Sequence, residues 1–340
     1  MINVALVGFG YAGQTIHAPL IAAIPAFRLH TIVSSKPDKV SSLWPMVRTV
    51  PALADALADT AVDLVVIATP NDSHAPLARQ ALESGKHVVV DKPFTLDVAE
   101  ARMLRTVSRT AGRLLSVFQS RRWDSDFLAV QEVIETGRLG EIGRFESRMD
   151  RYRPLVRDRW RERPGPGAGI WFDLGSHLID QALVLFGRPL GITADIASQR
   201  DPSRAPDYFH AMLRYDRLRV ILHSDVLSPA PGERFIVHGD RGSFIKAGID
   251  VQEAQLLEGR RPGDSGWGLD PRPGLVVAGV DGTRETFGGA PGDYRHFYFA
   301  VAEAIRGQGS NPVEPDEAIE VMEIIEAGIL SSDRRVEMGL

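Results

Sequence analysis

The chain has no cysteine among its 340 residues, which excludes disulfides, thiol nucleophiles and thiolate metal sites and makes a reducing cytoplasm the default compartment. It has no apolar run of bilayer-spanning length, and no basic segment with a signal core stands before the first strand pattern. Positive charge is not in excess: 39 lysines and arginines stand against 44 aspartates and glutamates, a net charge of −5. Such a balance gives no general attraction to nucleic acid or to an anionic membrane. Repeats and low-complexity segments are missing too. What is present is an ordinary globular composition, 44% hydrophobic and 24% charged, in a chain long enough for two domains with substantial cores.

The first thirteen residues organise the rest. The apolar run Ile2–Val7 leads into Gly8, Phe9, Gly10, Tyr11, Ala12 and Gly13, and residues 12–24 carry apolar side chains at helical spacing. A G-x-G-x-x-G between strand and helix is a dinucleotide-binding pattern. The first glycine permits the tight turn, the second lets backbone approach a pyrophosphate, and the third allows close packing of helix on strand. The phosphates then sit at the helix amino terminus, where unpaired N–H groups and the dipole favour negative charge.

Apolar strand patterns at 2–7, 29–33, 64–68, 87–90 and 114–118 alternate with helical patterns at 12–23, 51–57, 72–84 and 97–110. That alternation predicts an α/β fold with a doubly wound parallel Rossmann sheet. Asp72 and Asp97 are expected N-caps, and Gly85 and Gly112 expected left-handed C-caps. After the second strand the chain lacks the acidic residue that would hold both ribose hydroxyls and repel a 2′-phosphate. Ser34, Ser35 and Lys36 stand there instead, offering hydroxyls and a positive charge, so NADP is expected over the alternative, NAD. Thr69, Pro70, Asn71 and His74 follow the third apolar strand, where ligands of open α/β sheets bind. The motif Asp91-Lys92-Pro93 ends the fourth, and a lysine there suits a hydrogen bond to a substrate oxygen at the mouth of a nicotinamide cleft.

These segments, with Asp173 to His177 further on, resemble the glucose-fructose oxidoreductase and inositol dehydrogenase family, often written Gfo/Idh/MocA, over essentially the whole chain. The strings Gly8 to Gly13 with His17-Ala18-Pro19-Leu20, Arg121-Arg122-Trp123-Asp124, and Asp173 to Asp180 look most like its NADP-dependent scyllo-inositol dehydrogenase subgroup. The chain departs from the family pattern in carrying Asp91 where E-K-P usually has glutamate, and Ser120 after Gln119 where the subgroup commonly has asparagine. The resemblance implies that Lys92, Asp173 and His177 meet at the nicotinamide, and that Gln119 belongs with the cofactor-binding residues. It also implies dimers or tetramers built through the carboxyl-terminal sheet.

The domain boundary is expected near Arg121, giving a Rossmann domain over 1–121 and a substrate-binding and oligomerisation α+β domain over 122–340. Residues 127–136 read as an amphipathic helix and 143–150 as a half-buried strand. Residues 151–169 hold six arginines among prolines and glycines, interrupted by Asp158 and Glu162. A mobile loop over the cleft is the expectation, with Arg122, Tyr152, Arg153 and Trp160 as candidate substrate contacts. In the helical pattern 171–187, Asp173 and His177 are four apart and share a face, a spacing that suits a base and its orienting carboxylate but also arises by chance on exposed faces, and it is the resemblance that favours the former. Residues 192–277 alternate as short strands of a mostly antiparallel open sheet, followed by helical patterns at 294–306 and 315–330.

The function expected from this reading is hydride transfer between a secondary alcohol of a cyclic polyol or sugar, first of all an inositol, and NADP, with no metal involved. Alternatives are a dehydrogenase or reductase of an aldose, ketose or modified sugar, and a cofactor-loaded sugar sensor without turnover. The lysine, aspartate and histidine together argue against the sensor.

Overall fold

The computed structural model describes residues 1–201 and 205–340, so three residues of the alternating stretch 192–277 lie outside the described residues. The chain forms two compact units: residues 1–120, 252–267 and 293–319 make the first, and 121–251, 268–292 and 320–340 the second.

The first unit is built on strands β1 (Ile2–Val7), β2 (Phe27–Val33), β3 (Arg48–Val50), β4 (Leu64–Ile67), β5 (His87–Asp91) and β6 (Leu115–Phe118). They form a wholly parallel sheet in the order β3-β2-β1-β4-β5-β6, reversing direction of growth at β1/β4. That is a doubly wound sheet with its switch point beside the glycine turn. The continuously apolar strands are buried on both faces, Leu64, Val65, Val66 and Ile67 completely. Because every strand runs the same way, all their carboxyl ends lie along one edge.

The helices between and after these strands are α1 (Ala18–Ala22), α2 (Pro37–Leu43), α3 (Leu53–Leu57), α4 (His74–Glu83) and α5 (Val98–Ala111). Residues 12–23 do not form one regular helix. A π-helical turn, Ala12–His17, comes first, and the Ala18 N–H reaches back to the Gly13 carbonyl. Pro19, the second residue of α1, has no N–H and cannot continue an ordinary ladder behind it. Asp97 caps α5 by accepting the Glu100 N–H at 2.8 Å, and Gly112 closes it with φ of 60°. Asp72 is not a cap: a 3₁₀ turn, Asn71–Ser73, precedes α4. Helix α2 and strand β3 were not expected from the sequence, since three residues with Arg48 exposed give no alternation to read.

The second unit contains α6 (Ser125–Glu135), β7 (Ile142–Arg148), α7 (Ser176–Phe186), β8 (Gly191–Ala197), β9 (Tyr208–Arg214), β10 (Arg219–Asp225), β11 (Phe235–Gly239), β12 (Gly242–Lys246), β13 (Gly274–Ala278), β14 (Arg284–Phe287) and β15 (Met338–Gly339). Among the described residues its strands form one sheet ordered β14-β13-β12-β11-β7-β10-β9-β8-β15. Only β7 and β10 pair in parallel. Along β10 residues alternate strictly between buried and half-exposed, and the buried set (Val220, Leu222, Ser224) points to the face on which α7 packs. Phe145, Phe209, Phe235 and Phe244 fill that side completely. Trp171 edges against Phe209 at 5.0 Å and donates its indole N–H to the Ile325 carbonyl at 3.1 Å.

The stretch 192–277 is not all strand. It includes α8 (Gln252–Leu257), which packs in the first unit against the π-turn that follows the glycines. Helix α9 (Arg295–Ile305) also belongs to the first unit, against α1, while α10 (Pro315–Arg334) runs on through residue 334.

Candidate active site

In the first unit the glycine turn, Ser34–Lys36, Thr69–His74, Asp91–Pro93 and Gln119 all follow carboxyl ends of parallel strands, so the fold gathers them along one edge. Gly8 has φ of 95° and donates its N–H to the Val33 carbonyl at 3.0 Å; a Cβ there would stand 2.5 Å from the Ala68 carbonyl oxygen. At Gly13 a Cβ would lie 2.1 Å from the Gly8 carbonyl oxygen, so this glycine serves the turn's own closure. Gly10 differs, since a Cβ there would meet nothing within 4 Å. The turn is thus closed tightly by its outer glycines and open at its middle one, as a pyrophosphate cradle requires.

Phe9 is buried with the Lys39 ammonium 5.9 Å from its ring centroid, and the exposed Tyr11 donates its hydroxyl to Glu253 at 2.6 Å. Ser34 accepts the Lys36 backbone N–H at 3.1 Å, and Ser35 and Lys36 are exposed. Lys39, one helical turn after Lys36, adds a second cation beside the glycine turn. Sequence reading did not single it out. Gln119 is buried, and its Oε1 has no hydrogen-bond partner among the described residues. An open cradle, a serine-lysine turn and an inward-facing amide oxygen fit a nicotinamide dinucleotide.

His74 is buried, not solvated. Its Nδ1 lies 2.9 Å from the Pro93 carbonyl oxygen and its Nε2 3.0 Å from that of Thr69, so it joins the turns after β4 and β5. Burial drives its pKa down, against Asp91 and the carbonyls of Pro93, Thr69 and Phe94. Thr69 accepts a hydrogen bond from the Ser73 hydroxyl at 2.7 Å, and Asn71 is buried.

Asp91 is also buried, and its Oδ1 accepts the backbone N–H of Lys92 at 2.8 Å. The Lys92–Pro93 peptide is cis. Oδ2 of Asp91 stands 3.7 Å from His17 Nε2, and His17 Nδ1 lies 2.6 Å from the Tyr298 hydroxyl. Burial pushes the Asp91 carboxyl up, but His17 beside it, then Lys92 and His74, hold it below the usual carboxylate range. Burial, then the Asp91 charge, raises the Tyr298 phenol well above its ordinary value. His17 and Tyr298 were not singled out as site residues from sequence. The only signal is a histidine set among apolar neighbours in Ile16-His17-Ala18-Pro19.

In the second unit Asp173 lies in a π-helical turn, Trp171–Gly175, that opens α7, and His177 is buried in the first turn of α7. Asp173 stands 3.6 Å from Arg161 Nε and, with Arg151, Arg153, Arg159, Arg161 and Glu162, lines one cavity. Burial, then the charges of Arg151, Arg159 and Arg157, push the Arg153 pKa down, with Asp173 opposing. Trp160 carries the Arg161 guanidinium 4.6 Å from its ring centroid, and Tyr152 is exposed. Glu162, which in the sequence only interrupts a basic run, is a buried anchor. It accepts Arg159 Nε at 2.6 Å and the Arg157 N–H at 3.0 Å, and Arg200 stands 3.1 Å away. Arg122, an expected substrate contact, directs its guanidinium fork at Asp180 of α7, with bonds of 2.9 and 2.7 Å.

One cluster among the described residues has metal-ligand types: Asp150, His223 and Asp225, within 4.8 Å of one another. His223 Nε2 sits 3.6 Å from both carboxylates, and Asp225 already accepts the Leu227 N–H and the Ser228 hydroxyl. An imidazole between two carboxylates accounts for that arrangement without an ion.

Residues 2–119 match the family model described as "Oxidoreductase family, NAD-binding Rossmann fold", and residues 131–340 match its "C-terminal alpha/beta domain" partner, both of the GFO_IDH_MocA type. The chain belongs to the Gfo/Idh/MocA oxidoreductase family. Within this family it is 50% identical over 341 residues to the uncharacterized oxidoreductase YdgJ of Escherichia coli strain K12, covering 100% of this chain and 99% of that one. It is 38% identical over 338 residues to the scyllo-inositol 2-dehydrogenase (NADP(+)) IolW of Bacillus subtilis strain 168, covering 98% and 94%. The crystal structure of an oxidoreductase from Bacillus cereus superposes with a TM-score of 0.92 at 31% identity, covering 100% of this chain and 99% of that one. The Gfo/Idh/MocA chain is therefore an oxidoreductase with a nicotinamide dinucleotide-binding domain.

Proposed function

We propose that this protein oxidises a secondary alcohol of a cyclic polyol, an inositol before other sugars, reversibly to the ketone with NADP. The observation that carries the reading is the position of Lys92: at the carboxyl end of β5, on the edge that also bears the glycine turn, with its backbone held by Asp91. The scyllo-inositol 2-dehydrogenase (NADP(+)) IolW, 38% identical over nearly the whole chain, supports the substrate class and the cofactor.

Bound NADP would supply the hydride acceptor. Gly8, Gly10 and Gly13 would cradle its pyrophosphate, Ser34, Ser35, Lys36 and Lys39 its 2′-phosphate, and Gln119 with Thr69 to Asn71 its nicotinamide half. His177 takes the proton of the reacting hydroxyl, since imidazole titrates near neutral pH. Lys92 hydrogen-bonds the carbinol oxygen and stabilises negative charge developing there. Asp173 orients His177 or holds a neighbouring hydroxyl, and Arg153, Tyr152, Trp160 and Arg122 belong to the polyol side.

The protein works as a homodimer or homotetramer in this reading. The uncovered face of the second unit's sheet carries the half-exposed apolar residues Met212, Ile221, Ile236, Ile245 and Leu275, which supports burial against another copy.

The test is reduced-nicotinamide absorbance on mixing the protein with NADP or NAD and scyllo-inositol, myo-inositol, glucose and xylose. Turnover of an inositol with NADP is expected. Turnover confined to the aldoses moves the substrate to a sugar, and turnover confined to NAD overturns the cofactor assignment.

A further inference from the structure

We propose that His17 and Tyr298 are positioning residues for Lys92, acting through Asp91. The inference rests on the reading of Lys92 as a catalytic residue and adds to it two side chains far apart in sequence. All the residues involved belong to the first unit. Tyr298 comes from α9, His17 from the end of the π-turn behind the glycines, and Asp91 and Lys92 from the carboxyl end of β5.

Proton bookkeeping gives the relay a direction. Among the described residues His17 Nε2 makes no hydrogen bond and stands 3.7 Å from Asp91 Oδ2, so the two interact through charge and dipole, and because the carboxylate has no proton to give, that interaction is favourable with the ring proton on Nε2. The other nitrogen, Nδ1, is then an acceptor, and the Tyr298 hydroxyl at 2.6 Å is the donor. In the opposite tautomer Nδ1 donates to the tyrosine oxygen, and the Nε2 lone pair faces the carboxylate, which is repulsive. A Tyr298 O–H that donates to Nδ1 favours the tautomer with its proton on Nε2, the nitrogen nearer Asp91, as carboxylates fix the tautomer of catalytic histidines elsewhere.

The surroundings show what the relay is set against. His17 and Tyr298 are completely buried and Asp91 is 8% exposed. Phe118 lies 4.4 Å from the His17 ring and 5.6 Å from that of Tyr298, and Phe27 and Phe297 edge onto Tyr298 at 5.9 and 5.3 Å. In such a cage a phenylalanine at 298 would pack equally well, and a carboxylate without partners would take up a proton. The groups that face Asp91 are His17, Lys92, His74 and Tyr298. With His17 correctly protonated Asp91 stays an anion, its Oδ1 holds the Lys92 N–H, and the lysine presents its ammonium from a fixed backbone. With the tautomer released, burial has less to oppose it and the carboxyl titrates nearer neutrality.

The full-length protein carries the test, in Tyr298→Phe, His17→Gln and His17→Ala. Glutamine retains an N–H donor for Asp91, and alanine does not. The first readout needs no substrate: a ¹³C carboxyl titration of Asp91, which in wild type stays ionised below the usual carboxylate range and in Tyr298→Phe and His17→Ala moves up. The second is kcat/KM against pH with scyllo-inositol and NADP. Tyr298→Phe is expected to lose about tenfold in kcat, to keep KM for NADP, and to lose activity at a higher pH on the acid side. His17→Gln is expected to recover most of what His17→Ala loses. An unmoved Asp91 titration in Tyr298→Phe overturns the proposal, as does a fall in kcat with the wild-type pH profile, which would mark a purely structural role. If Tyr298→Phe does not fold, equal behaviour of His17→Gln and His17→Ala overturns it instead. Lys92→Ala in the same assay separates the two readings: full activity there removes the role of Lys92 itself, whereas an inactive Lys92→Ala beside a wild-type Tyr298→Phe removes only the relay.

Discussion

The carboxylate of Asp91 accepts the backbone N–H of Lys92 at 2.8 Å, so the acidic residue of this tripeptide turns back on its own neighbour. A shorter side chain than the family's usual glutamate is enough for that bond. Lys92 is thereby fixed from behind, by a buried anion, while its own side chain stays half-buried at the strand edge.

Removing the proton-handling side chains should leave the fold and the cofactor site standing. Lys92→Ala and His177→Ala are each expected to lose at least about a hundredfold in kcat while binding NADP as wild type does, measured by turnover and by fluorescence titration of the nucleotide. Near-normal turnover in both removes the mechanism.

Gly8 and Gly10 should fail in different ways. Gly8→Ala places a Cβ 2.5 Å from the Ala68 oxygen at a φ of 95°, and a loss of about 1–3 kcal/mol in denaturant unfolding is expected. Gly10→Ala meets no protein atom within 4 Å, so its stability should match wild type while NADP affinity falls at least about tenfold. Equal NADP affinity in Gly10→Ala would take the pyrophosphate away from this turn.

Cofactor choice should follow Lys36. Lys36→Glu is expected to raise KM for NADP by about tenfold or more, a change of roughly 1.4 kcal/mol, and to leave KM for NAD nearly unchanged. Steady-state kinetics with both nucleotides decides this, and a parallel rise for both would place Lys36 away from the 2′-phosphate.

Acid should weaken the fold in two successive windows. Burial lowers the His74 pKa, so as pH falls below about 6.5 the unfolded chain binds a proton the native protein refuses. Stability is therefore complete above that pH and is lost as pH falls through the folded value. Asp91, also lowered in the folded state, adds a second loss of the same sign at lower pH. Urea midpoints measured from pH 8 downward should show the first decline in wild type and not in His74→Gln.

Much of the fold was legible because its signals are local. Five apolar runs, five glycines and one aspartate cap marked the Rossmann sheet, and alternating short strands marked the second sheet. Elements without a local signal were missed: β3 has three residues, and α8 lies in the middle of a strand-rich stretch yet packs in the first unit. The strand-end motifs were legible for the same reason, since each follows an apolar run. His17 with Tyr298, and Glu162 with Arg200, were not, because their partners lie 281 and 38 residues away and only folding brings a hydroxyl or guanidinium to them. Arg122 and His74, both expected ligand contacts, also have protein partners that sequence did not reveal: Asp180 for the guanidinium, and two carbonyls of the turns beside it for the imidazole.

The central claim is a hydride passing from a polyol carbon to NADP, and isotope transfer tests it most directly. With scyllo-inositol deuterated at its carbinol carbons, the account predicts reduced nucleotide one mass unit heavier and a slower single turnover than with unlabelled polyol. Reduced nucleotide without label, or no reduction of bound NADP at all, would contradict it.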